Sequence, residues 1–253
     1  MTKSSLLVGG EHYNLLINWD KRLSIEMPFL MDFIKDIKPS VKTILDLGCG
    51  TGHHTQILQK KYGYQVTGVD IDQSMIEEAR KQVPNAELLV QDFMDPEALT
   101  GRLFDAIISL GNSVGLIGAA HNGFKGIISK FFQVLRKSHG ILIFHLLNTE
   151  KEREGWSPPR SVVTDNGEYI FLRGFTTTEK FIHPEIITLF QSQDNKEWEM
   201  ITTGKTNIPR ISYKSMVSLL QEVGFTDVRV FGDYNKSPFD PLSSVDMITI
   251  GYT

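Results

Sequence analysis

The sequence predicts an α/β fold: a doubly wound, seven-stranded, mostly parallel sheet with a small antiparallel β insertion. Three observations predict it. From residue 43 to about 147, short apolar runs alternate with amphipathic runs of helical period. The apolar runs are continuous, as expected of strands covered by helices on both faces. The first of them, in TILDLGCGTG at 43–52, ends in glycines at every second position before a helix begins.

TILDLG (43–48) is the first strand and HHTQILQKKY (53–62) the helix after it. QVTGVD (65–70) is the second strand. QSMIEEARKQV (73–83) sets Met75, Ile76, Ala79 and Val83 at helical spacing. AELLVQD (86–92) and FDAIISL (104–110) are the third and fourth strands, with a loop at 109–117 beyond the latter. GFKGIISKFFQVLRK (123–137) is a helix with Ile127, Phe131 and Leu135 on one face and basic residues in its last turn. GILIFHLLN (140–148) is the fifth strand.

Beyond residue 150, turn signals at Asp165-Asn166-Gly167 and Asp194-Asn195 separate β-rich runs such as EYIFLRGFTTT and IITLFQS. SYKSMVSLLQEVGF (212–225) is a helix stopped by Gly224. DVRVFGDY (227–234) and VDMITIGYT (245–253) are the last strands. The expectation is one domain over 1–253, with a helical cap over 1–40 and an antiparallel, substrate-side insertion over 150–210.

The net charge of −4 argues against a nucleic-acid partner, which wants a basic face. The single cysteine, Cys49, permits no intramolecular disulfide, and a reducing, cytoplasmic compartment is the simplest expectation. No apolar run resembles a signal peptide or approaches the roughly 20 residues of a membrane span. A monomer or homodimer is expected.

A strand that ends in alternating glycines turns tightly and lets backbone approach a ligand at a helix N-terminus. The dinucleotide pattern G-x-G-x-x-G is not met, because its last glycine would fall on His53. The phosphate loop needs a lysine after Gly52, and none follows. What remains is D-x-G-x-G-x-G. LDLGCGTG resembles the first motif of the class I S-adenosylmethionine-dependent methyltransferases, a Rossmann-like family. The resemblance covers about residues 10–148 and the final helix and strands.

The resemblance implies S-adenosylmethionine as cofactor and a set of contacts. Asp46, Gly48, Cys49, Gly50 and Gly52 form the loop, with Cys49 contributing backbone and bulk rather than a nucleophile. Asp70 closes the second strand, where an acid takes both ribose hydroxyls. Met75 lies against adenine or, alternatively, is a core residue on the helix's inner face, and Ile71, Phe93 and Leu110 line the site. Asp92 accepts from the adenine amino group or, alternatively, caps the following turn. HYNLLINWDKRLSIEMPFL (12–30) resembles the leading helical segment of small-molecule members, in which Tyr13 covers the cofactor. Arg22 pairs with the methionine carboxylate or sits on a solvated helix face.

On the acceptor side, LGNS resembles the glycine N-methyltransferase branch, where the matching Asn112 contacts the acceptor. Aligning that branch's fifth strand on HGILIFHLLN puts Leu147 where its carboxylate-binding arginine stands, so glycine itself is a poor acceptor. His145, which ends an apolar strand at the ligand edge, is the base candidate, histidine being the usual side chain for that role, or it is a hydrogen-bonded histidine at a strand end. Trp156 and Tyr234 are either pocket walls or ordinary core aromatics. His53-His54 with nearby acids make no metal site. The reading is methyl transfer to an N, O or C centre of a small molecule. A protein or RNA methyltransferase, or a non-catalytic binder of the cofactor, are the alternatives.

Overall fold

A computed structural model describes residues 9–35, 37, 41–195 and 197–253. The strands are β1 (Thr43–Leu47), β2 (Gln65–Asp70), β3 (Glu87–Val90), β4 (Ala106–Ser109), β5 (Ile141–Leu147), β6 (Gly155–Trp156), β7 (Arg160–Thr164), β8 (Gly167–Thr177), β9 (Phe181–Ser192), β10 (Glu199–Lys205), β11 (Ile208–Pro209), β12 (Asp227–Phe231) and β13 (Asp246–Tyr252). The helices are α1 (Gly10–Leu16), α2 (Trp19–Ile34), α3 (His53–Lys60), α4 (Gln73–Gln82), α5 (Ser113–Ala120), α6 (Lys125–Val134) and α7 (Tyr213–Val223).

Seven strands form one sheet in the order β12-β13-β5-β4-β1-β2-β3. The pairs from β5 to β3 are parallel, and β13 runs antiparallel to β5 and to β12. Because side chains alternate across a strand, each strand feeds two cores. Leu45, Leu47, Leu142 and Phe144 pack under α6 and α7 with Phe131, Met216 and Leu220. Ile44, Ile108, Ile143 and Ile248 pack under α2 and α3 with Phe29, Leu30 and Leu58. Burying one such side chain fully contributes about 1.5–3 kcal/mol. Asp46 and His145 stand two positions beyond Ile44 and Ile143, so both project on the α2 side. The strand order reverses at β1, which has β4 on one side and β2 on the other. A crevice at the strand C-terminal ends is the expected binding place there.

The second sheet runs β10-β9-β8-β6, with β7 also on β8 and β11 on β9, all antiparallel. Asp165 and Asn166 make the two-residue turn between β7 and β8, where Thr164 pairs with Gly167. Leu16 of α1 packs on this sheet with Phe171 and Ile186. Arg160 donates to the Leu16 carbonyl. The other end of α1 is tied to α4, where Gly10 N donates to Ser74 Oγ at 3.1 Å.

Two local expectations are corrected. The basic residues do not lie in a last helical turn after 123, because α6 ends at Val134. Leu135 is extended and bridges Phe104, and Arg136 instead pairs with Asp105. The 109–117 stretch is not all loop. SVGLIGAA forms α5 despite two glycines, since the Phe124 ring occupies the space that a side chain on Gly118 would take. The leading helical segment is made of two helices. Ile17 is extended, and Asn18 caps α2 by accepting from Lys21 N at 3.1 Å. Residues 1–8 of the expected cap lie outside the described residues.

Candidate functional site

The crevice at the switch point is a cavity of about 610 Å³, within the usual range for a small-molecule site. The glycine loop forms its floor. Gly50 has φ +54° and would carry a Cβ toward nothing nearer than Tyr13 Cε1 at 3.9 Å, so backbone faces the cavity there. Gly52 has a different reason to be glycine. With φ +82°, a Cβ there would lie 3.0 Å from that of Ala79, so α3 and α4 pack directly over it. Asp46, behind the loop, accepts from Thr55 Oγ1 at 2.7 Å, and burial pushes its carboxyl pKa up.

Asp70 ends β2 at the cavity wall. Its Oδ2 accepts from Gly50 N at 2.9 Å and its Oδ1 from Asp72 N at 3.0 Å. Each oxygen keeps acceptor capacity for a hydroxyl. Burial raises its pKa to about 6, against the opposing pull of those two backbone bonds. Met75 and Leu110 also line the cavity.

Arg22 enters from α2. Its Nε donates to Glu26 Oε1 at 2.9 Å, and an Nη donates to Tyr13 Oη at 3.3 Å. The other Nη lies against Gly111, where a Cβ would approach it to 2.8 Å. Glu26 in turn meets His54 Nε2 at 2.6 Å. Desolvation alone would raise Glu26, but His54 and Arg22 together hold it at about 2. Burial would likewise lower Arg22, yet Tyr13, Glu26 and Tyr234 outweigh it and hold the guanidinium charged. One face of this cation is therefore fixed and the other is turned to the cavity.

The far end of the cavity is built by β5, β13 and the second sheet. Asn112 lines it with φ +70°, and its Oδ1 accepts from Leu147 N at 2.9 Å, tying the loop after β4 to β5. His145 Nε2 lies 3.0 Å from Asp246 Oδ1, a close charge contact off the direction of a ring N–H bond. Neither ring nitrogen has a hydrogen-bond partner. Tyr234 packs edge-on against the His145 ring, with centroids 6.0 Å apart. Burial and the Glu26 charge push its phenol pKa well up.

Of the expected site residues, the fold brings Tyr13, Arg22, Asp46, Gly48, Cys49, Gly50, Asp70, Met75, Leu110, Asn112, His145 and Tyr234 to this one cavity. It does not bring the others to its lining. Gly52 serves helix packing, Ile71 is exposed and Phe93 belongs to the core. Asp92 accepts from Met94 N at 2.8 Å and faces His121 Nε2 at 3.2 Å. Trp156 is half exposed and lies on Gly174. Glu26, His54, Arg153 and Asp246 line the cavity and were not singled out as site residues. The i, i+4 spacing of Arg22 and Glu26 was the one local signal for any of them. Among the described residues no cluster of three or more His, Cys, Asp or Glu is placed to hold a metal. No described helix is long and apolar enough to cross a membrane.

A doubly wound sheet with a glycine loop, an acid closing β2 and a cavity at the switch point is a Rossmann-like fold with the geometry of a nucleotide-type ligand site. Comparison with known proteins narrows this. Residues 44–138 match the family described as a methyltransferase domain. An N,N-dimethyltransferase of Streptomyces venezuelae that acts on dTDP-3-amino-3,4,6-trideoxy-α-D-glucopyranose is 26% identical over 136 residues. That match covers 54% of this chain and 56% of the relative, just over half its length. A glycine/sarcosine N-methyltransferase of Parasynechococcus marenigrum is 25% identical over 235 residues, 91% of this chain and 79% of that protein. The crystal structure of the sugar N-methyltransferase KedS8 from a Streptoalloteichus species shares the fold at TM-score 0.79 and 14% identity, over 100% of this chain and 96% of that one. Over residues 44–138 the chain is thus similar to methyltransferase domains, and the relatives that match it over most of its length are named as small-molecule methyltransferases.

Proposed function

We propose that this chain moves a methyl group from S-adenosylmethionine to an N, O or C centre of a small-molecule acceptor. The observation that carries the reading is one cavity with three chemically distinct parts. Asp70, a hydroxyl acceptor, stands at one wall. Arg22, a cation fixed on one side only, stands at another, and the far end holds polar groups without partners. These residues fit the cofactor: a carboxylate for ribose hydroxyls, a thioether on Met75 against adenine, and a guanidinium for the amino-acid tail.

When bound, S-adenosylmethionine supplies a methyl already activated on a sulfonium. The protein therefore contributes mainly alignment and exclusion of water. Tyr13 and α1 cover the cofactor side. Glu26 holds Arg22 by Nε so that its remaining nitrogens meet a carboxylate, and His54 holds Glu26. His145 receives the acceptor's proton where that atom carries one, and Asp246 stabilises the imidazolium so formed. Asn112 shapes the acceptor end through its bond to Leu147. The net charge and the enclosed acceptor end favour a small molecule over nucleic acid, and the lone buried cysteine fits a cytoplasmic setting.

Calorimetric titration with S-adenosylhomocysteine tests the reading. The wild type is expected to bind at micromolar concentration or tighter. Asp70→Ala is expected to bind about 10- to 100-fold more weakly, from the loss of hydrogen bonds to a charged group at about 1.5–3 kcal/mol. No binding by the wild type at millimolar ligand refutes the cofactor site, and unchanged binding by Asp70→Ala refutes the role of Asp70.

A further inference from the structure

Among the described residues, seven buried side-chain polar atoms have no hydrogen-bond partner, and four of them border this cavity. They are His145 Nδ1 and Nε2, Tyr234 Oη and Arg153 Nε. Native proteins satisfy nearly all buried polar groups, so this concentration marks where a polar ligand belongs. The charges in this end are arranged in two sets. Asp246 faces His145 at 3.0 Å. Arg153 follows β5 and lies over the Phe175 ring at 5.8 Å, with one Nη donating to the Val245 carbonyl at 2.6 Å. Arg173, on β8, reaches the same cavity and is exposed toward solvent. Neither arginine forms an ion pair among the described residues. Burial draws the Arg153 pKa down, and the more distant Asp246 only partly offsets it.

A half-buried guanidinium with an unpartnered Nε is poorly compensated, and an oxyanion answers its geometry as well as its charge. On the methyltransferase reading above, we propose that the acceptor carries an anionic oxyacid group, carboxylate, sulfonate or phosphate, held by Arg153 with Arg173 at the cavity mouth, while its methyl-accepting N–H or O–H lies against His145 and Asp246. The acceptor is then a compact molecule with a nucleophile at one end and an anion at the other. Leu147, which stands where the glycine N-methyltransferase branch has its arginine, is no obstacle, because the cation reaches the cavity from a later residue.

The test uses the full chain saturated with S-adenosylhomocysteine, titrated by calorimetry with β-alanine, taurine and 2-aminoethyl phosphate, and with propylamine and 3-aminopropanol as anion-free counterparts. At least one anionic probe is expected to bind about tenfold or more tightly than its counterparts, about 1.4 kcal/mol. Arg153→Gln is expected to erase that preference while keeping its affinity for S-adenosylhomocysteine. Should Arg153→Gln not fold, Arg173→Gln, at an exposed position, is expected to reduce the same preference. Equal binding of anionic and anion-free probes, no binding of any anionic probe at tens of millimolar, or a preference that survives both substitutions overturns the proposal. Failure of the wild type to bind S-adenosylhomocysteine instead overturns the methyltransferase reading, and the proposal with it.

Discussion

The two ends of the cavity are built by opposite means. At the end proposed for the cofactor, nearly every polar group is already paired within the protein: Asp70 with two backbone N–H groups, Arg22 with Glu26, Glu26 with His54, Asp46 with Thr55. At the end proposed for the acceptor, His145, Tyr234 and Arg153 leave buried polar atoms without partners. A site for an invariant ligand can be fixed in advance, and preorganisation of that kind lowers the cost of binding. A site that defines specificity keeps its polar groups for the ligand, which then loses heavily if it cannot match them. The cofactor end should therefore be brittle in stability, and the acceptor end sensitive in activity.

The largest effect should come from Gly52→Val. A β-branched residue at φ +82° is strained by about 1–2 kcal/mol, and its Cβ would press on Ala79 at 3.0 Å, adding about 1–3 kcal/mol of overpacking. Urea unfolding should show a loss of about 2–5 kcal/mol. A loss below about 1 kcal/mol would mean that α3 and α4 yield easily and that the cofactor end is not preorganised.

Asn112→Ala bridges the two ends and should cost about 2–3 kcal/mol. It strands the Leu147 N–H, at about 1–3 kcal/mol, and leaves a non-glycine residue without a polar side chain at φ +70°. Turnover should fall further than stability alone explains, while affinity for S-adenosylhomocysteine stays nearly intact. Loss of cofactor binding in a folded Asn112→Ala would place Asn112 at the wrong end.

These contrasts also explain what could be read from the chain. The strands and helices between 43 and 148 were legible because their periods are local: Ile44 and Leu45 in a continuous run, Met75, Ile76 and Ala79 at helical spacing. The loop was legible because D-x-G-x-G-x-G is itself a local geometry. Asp246 was not, since only the antiparallel register of β13 on β5 sets it beside His145. His54 meets Glu26 across 28 residues, and nothing near either announces the partner. Arg153 is held at the cavity by Thr177 at the end of β8, whose hydroxyl bonds to its backbone, and by the Val245 carbonyl, both remote in sequence. The α5 helix was hidden because its glycines, which argue for a loop by propensity, are required by the Phe124 ring and the Asn112 side chain.

Acidity probes the proposed cofactor end through Asp70. Asp70, with its pKa raised to about 6, is half protonated there in the free protein. Ribose hydroxyls favour the carboxylate, so affinity for S-adenosylhomocysteine should fall by up to about tenfold per pH unit below 6. Asp70→Asn should bind more weakly and show no such slope. Stability responds with two signs. The raised Asp70 favours the native state when protonated, so its contribution declines as pH rises from about 4 to about 6. Glu26, held at about 2, contributes fully above its unfolded value near 4.5, and that contribution is lost as pH falls toward 2. A slope in affinity that persists in Asp70→Asn would assign the proton to another group.

The smallest effect is expected farthest from both ends, on the outer face of the second sheet. Val163 of β7 is 76% exposed beside the turn at Asp165-Asn166. Thr is nearly isosteric and equally β-branched, so Val163→Thr keeps the strand's conformational preference. It removes little buried apolar surface, because little is buried. Unfolding free energy should change by less than about 0.5 kcal/mol, and neither S-adenosylhomocysteine nor anionic-probe affinity should move. A larger loss would show that this face is covered in solution, and the second sheet would then serve as a contact surface. Unchanged stability would leave the sheet with one demanding face, the inner one, where Phe171 and Ile186 meet α1 and Arg173 reaches the cavity.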